Sequence, residues 1–99
     1  MPHVDAITAL LGHADGRTRH AALEVLAKDP PVLKACLRDV AGRLDDHEAY
    51  VRLYAAQLLV PISANELRPH TAALKKRLYD YDVNVRKIAQ AILARLGAL

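Results

Sequence analysis

Phenylalanine and tryptophan are absent from the 99 residues, and the only aromatic rings besides histidine are Tyr50, Tyr54, Tyr79 and Tyr81. No interleaved aromatic and basic platform of the kind that stacks nucleic-acid bases is therefore available. A single cysteine, Cys36, excludes an intrachain disulfide and points to a reducing compartment. The expected location is intracellular and soluble, with cytoplasm and organelle interior not distinguished. No apolar run approaches the ~18 residues of a membrane-spanning helix. The N-terminus lacks the basic flank and long apolar stretch of a secretory signal, and Met1 is taken as an intact start. Also missing are a glycine-rich phosphate loop, a Ser-His-Asp arrangement, a cysteine cluster and a His-x-x-x-His pair. No catalytic residue, cofactor site or metal site is expected, nor an enzymatic activity of the chain's own. His13 and His47 lie in successive turns near Asp15, Asp46 and Glu48, and they read as polar turn residues. Cys36 reads as a small buried or half-buried residue on the outer part of a helix, not as a nucleophile.

Instead, 53% of the residues are hydrophobic, and most of these are Ala and Leu. Both favour helices and allow them to pack closely. Three arginines, Arg19, Arg52 and Arg86, stand 33 and 34 residues apart, and their surroundings superimpose. Leu11, Leu44 and Leu78 lie eight residues before them; Ala22, Ala55 and Ala89 lie three after. Leu26, Leu59 and Leu93 lie seven after, preceded by Val25, Leu58 and Ile92. Self-similarity at this period marks a repeat architecture. The expected fold is all-α, an α-solenoid of three antiparallel helical hairpins with six helices, in one domain over 1–99. The repeats run approximately over 1–29, 30–63 and 64–99.

Three- and four-residue apolar spacings place the helices. In the second repeat, a helix is predicted to start near Pro31 and face inward with Leu33, Leu37, Val40 and Leu44. Asp45-Asp46-His47 supplies the turn and N-cap chemistry. Val51, Tyr54 or Ala55, Leu58 and Leu59 line the next helix, which Pro61 stops. The third repeat starts near Asn65 with a first turn disturbed by Pro69. Its inward stripes are Leu67, Leu74 and Leu78, then Val85, Ile88, Ala89, Ile92 and Leu93, with Tyr79 to Asp82 as the turn between. In the first repeat, Val4, Ile7 and Leu11 allow only a short opening helix, Gly12 to Gly16 turn the chain, and Arg17 to Ala27 form the second helix.

Leu44-Asp45-Asp46, Val51-Arg52, Ala55-Ala56 and Leu58-Leu59 together resemble a HEAT repeat, as do Leu78-Tyr79-Asp80, Val85-Arg86, Ala89 and Ile92-Leu93. The variant looks closest to the short HEAT-like repeats of bilin-lyase-type proteins. Ankyrin and tetratricopeptide repeats share the period, but their signatures are missing. The resemblance implies a structural Asp–Arg ladder of Asp46 with Arg52 and Asp80 with Arg86, each Asp opening the second helix of its hairpin. The first repeat departs from this pattern: His13 holds the Asp position and Thr18 precedes Arg19, so Arg19 is expected to lack a carboxylate.

The resemblance also implies a non-enzymatic protein–protein interaction module, or a structural subunit of a larger assembly. Candidate partner-binding residues are Tyr50, Tyr79 and Tyr81, the basic residues Arg68, Lys75, Lys76 and Arg77, and the apolar end at Leu96 and Leu99. That end could also mediate self-association. Net charge supports a focus on the third repeat: residues 1–29 carry −1, 30–63 carry 0 and 64–99 carry +4. The alternatives are a nucleic-acid-associated HEAT-like protein and an accessory subunit of a bilin-lyase-like complex.

Overall fold

The computed structural model describes residues 2–99, so Met1 lies outside the described residues. The described residues are helical, with no strand among them. In chain order the helices are α1 (Pro2–Leu11), α2 (Gly16–Ala27), α3 (Pro30–Ala35), α4 (Leu37–Gly42), α5 (Ala49–Leu59), α6 (Ala64–Leu67), α7 (Thr71–Lys76) and α8 (Val83–Leu96). Short 3₁₀ turns occupy Arg43–Asp45, Arg68–His70 and Arg77–Tyr79. The opening helix spans ten residues and is not abbreviated. Six helices become more because the segments before Asp46 and Asp80 are each broken.

Local chemistry explains most boundaries. Asp15 caps α2 by accepting from the Arg17 N–H at 2.8 Å, and Asp29 caps α3, where Pro30 occupies the first helical position. Ser63 caps α6 by accepting the Glu66 N–H at 3.3 Å, and its hydroxyl donates to the Glu66 carboxylate at 2.9 Å. At the other terminus Gly97 takes φ 69°, and the Ala98 N–H returns to the Leu93 carbonyl at 2.9 Å. This left-handed cap ends α8 cleanly, as glycine allows.

The backbone repeats as the sequence does. Cys36 and His70, 34 residues apart, break their segments with nearly identical dihedrals (−104°, 13° and −105°, 12°). The kink thus belongs to the repeat and not to Pro69 alone, since Ala35 precedes it in the earlier copy. Asp46 and Asp80 are extended after their 3₁₀ turns, and Asp15, Glu48 and Asp82 share one N-cap conformation.

Helix α2 packs on α5 and α5 on α8, while α1, α4 and α7 pack against α2, α5 and α8 respectively. The core between them is aliphatic. Leu11, Leu23, Leu26, Leu44, Leu59, Leu67, Leu74, Ile92 and Leu93 are essentially inaccessible. Leu37, Leu78, Ile88 and Tyr54 pack against its edge and are only half-buried. Cys36 sits inside this core at the α3–α4 break, not on an outer helix face, and burial pushes its thiol pKa up. The radius of gyration, 12.6 Å, matches the ~13 Å of any compact chain of this length.

Candidate functional site

The three spaced arginines project from the first turns of α2, α5 and α8. Arg19 donates from Nε and Nη2 to the two carboxylate oxygens of Asp46, at 2.7 and 2.9 Å. Arg52 repeats this on Asp80, at 2.8 and 3.0 Å. Each pair is the two-pronged match of a planar guanidinium to a carboxylate. The third nitrogen, Nη1, stays within its own repeat: it donates to the carbonyls of His13 and Ala14 from Arg19, of Asp46 from Arg52, and of Asp80 and Tyr81 from Arg86.

The expected pairing is therefore corrected. Asp46 and Arg52 do bond, as do Asp80 and Arg86, but only through the aspartate's main-chain oxygen. The carboxylates point to the arginine of the preceding repeat, so Arg19 has its partner and Arg86 does not. Neither aspartate is the helix cap. Glu48 and Asp82 hold that position, and the aspartates tighten the turn by accepting the N–H of Glu48 and Asp82 at 2.9 Å.

A second arginine joins each carboxylate from three residues earlier. Arg43 reaches Asp46 at 3.1 Å, and Arg77 reaches Asp80 at 2.9 Å. Both carboxylates have side chains with no exposure to solvent. Burial pushes their pKa up, but hydrogen bonds from Arg19 or Arg52, and from the turn N–H, outweigh it and hold both below the ordinary 3.8. Arg19 and Arg52 shift upward through the same bonds. Both nodes are thus fully ionised at neutral pH, and they lock adjacent repeats together.

The first repeat solves the same turn without a carboxylate. His13, at the aspartate position, accepts the Asp15 N–H on Nδ1 at 3.0 Å, the bond that Asp46 and Asp80 make through a carboxylate. Leu10 stands where Arg43 and Arg77 stand later. The two changes belong together. Among the described residues no arginine faces His13 as Arg19 faces Asp46.

The candidate binding residues separate into engaged and free groups. Tyr50 lies edge-on to His20 of α2 with ring centroids 5.8 Å apart. Its hydroxyl fills the space that a Cβ on Gly16 would need. It is thus a packing residue between repeats. Tyr79 and Tyr81, by contrast, are 86% and 99% exposed. Of the basic cluster, Arg77 is held by Asp80, while Arg68, Lys75 and Lys76 are exposed, Arg68 also donating to the Leu96 carbonyl at 2.9 Å. Arg77 also keeps its buried Nε without a partner. At the C-terminus Leu96 is only 5% exposed and belongs to the core; Leu99 alone is open, at 70%. A docking role for Leu96 is thereby removed, because its side chain already fills the space under α8. A shallow depression lies over the second carboxylate node, between His47, Lys76, Tyr79 and Tyr81.

Among the described residues, no group of three His, Cys, Asp or Glu side chains could hold a metal ion, and no helix is long and apolar enough to cross a membrane. Comparison with protein-family models, with curated proteins and with solved structures finds no match, so the chemistry of the surface has to be read from its geometry.

Proposed function

We propose that the chain is a short HEAT-like stack of three helical hairpins that serves as a non-enzymatic protein-binding module or structural subunit. The observation that carries this reading is the pair Tyr79 and Tyr81. Two large aromatics stand almost fully in solvent on a turn whose backbone is pinned from below by Asp80 and Arg86. Rigid, exposed tyrosines present large contact area at little ordering cost, and they recur as anchors in protein interfaces.

The test is capture of a partner from the native source by the immobilised full chain, in low and high salt. Capture that survives high salt and fails for a Tyr79→Ser, Tyr81→Ser double variant supports the reading. Binding that falls steeply with salt and disappears with Lys75→Ala and Lys76→Ala would instead favour contact with a phosphate backbone. One of the four clustered cations, Arg77, is already paired with Asp80 inside the fold, which weighs against that alternative.

A further inference from the structure

We infer that the α8 edge docks a partner protein through a carboxylate that enters the fork of Arg86, as Asp46 and Asp80 enter the forks of Arg19 and Arg52. The inference rests on the binding-module reading and names its surface and partner chemistry.

Two internal precedents define the geometry. In both, Nη1 is anchored on the repeat's own turn, which leaves Nε and Nη2 aimed at the neighbouring repeat. Arg86 has the same anchor on Asp80 and Tyr81. Among the described residues, no carboxylate lies within ion-pair distance of it. Its fork is thus pre-positioned, and a ligand need not pay the full cost of ordering it.

Charge along α8 points to an acidic occupant. Its first two turns carry Arg86 and the exposed Lys87 and no acidic residue, while Arg95 is turned away and donates to the Val60 and Ile62 carbonyls at 2.9 Å. Next to Arg86 the exposed Tyr81 and Val83 offer apolar contact. Gln90, which holds the place of the buried Leu23 and Ala56, is exposed, so this edge is one that water wets when nothing is docked.

The occupant is a different protein and not a second copy. A copy docking head to tail would present its first repeat, where His13 and Leu10 replace the aspartate and its flanking arginine. The chemistry that fits is an Asp or Glu on a surface turn of the partner.

Two measurements on the full chain test this. The first follows the arginine Nε–H signals by nitrogen-15 NMR while acetate is added as the bare carboxylate. Arg86 should respond at lower acetate than the exposed Arg38, with Arg19 and Arg52 unmoved; equal response of Arg86 and Arg38 overturns a preformed fork. The second repeats the capture with Arg86→Ala and Arg86→Lys, each checked for an unchanged fold by circular dichroism, followed by carbodiimide coupling. Loss of capture by roughly tenfold or more in both variants, with coupling between Lys87 and a partner Asp or Glu, supports the inference. Unchanged capture by both variants overturns the inference and leaves the binding-module reading standing. Capture of nothing by the unaltered chain sinks both. Head-to-tail oligomers of the chain itself, dissolved by Arg86→Ala, would replace the partner protein with a second copy and overturn the assignment.

Discussion

At one edge of the molecule Leu10 and His13 take the places that Arg43 and Asp46 hold one repeat later; at the other, Arg86 has no carboxylate opposite it among the described residues. The first edge lacks both the carboxylate and its flanking arginine, and the turn keeps its hydrogen bond through His13. The second edge keeps the donor half of a rung. Within the described residues the ladder runs from Arg19 to Asp46 and from Arg52 to Asp80; the His13 turn is a finished edge and the Arg86 fork an unfinished one.

The interior of the ladder should respond most to mutation. Asp46→Ala leaves Arg19 buried without its carboxylate, and breaking a buried pair in this way costs about 3–5 kcal/mol. Urea denaturation should show that loss, and a change below ~1 kcal/mol would mean that the rung is replaceable by water. Acid probes the same two nodes together. Because the folded pKa values of Asp46 and Asp80 lie below 3.8, the stability they contribute is complete above pH 3.8 and is lost as pH falls through the lower folded values. Helicity followed by circular dichroism across the acid range should fall there in the native chain, and Asp46→Asn should flatten the dependence.

The two edges should respond far less. Arg86→Ala removes donors to two turn carbonyls that are partly open to solvent, an expected loss of about 1 kcal/mol. His13→Ala removes one exposed acceptor that water can replace, an expected loss of about 0.5 kcal/mol. If thermal melts rank His13→Ala with Asp46→Ala, the two ends of the ladder are not the finished and unfinished edges described above.

Periodicity placed the helices well because the aliphatic stripes leave little choice: Val40, Leu44, Val51, Leu59, Leu74, Val85 and Leu93 are all buried as spaced. The breaks at Cys36 and His70 were not legible in the same way, since neither residue is a helix breaker and the kink shows only as a shared backbone conformation. The partner of each aspartate was also misread. Asp46 lies six residues before Arg52 and 27 after Arg19, and both arginines reach it, one through its main chain and one through its carboxylate. The deciding signal was in the first repeat: an arginine present without an aspartate fits pairing between repeats and contradicts pairing within one. Leu96 was misjudged because apolar end residues read alike whether they cover a core or face water.

The interval between Asp46 and Asp80 equals that between Arg52 and Arg86, 34 residues in each case. Excising one whole interval from the middle of the chain would bring the third repeat's turn to the place now held by the second, so that Arg19 would meet Asp80. The rungs thus set a reading frame with slack in its links: each carboxylate lies 27 residues after its arginine in the first rung and 28 in the second, and the extra residue is absorbed in the link between α5 and α6 while the paired atoms keep their geometry.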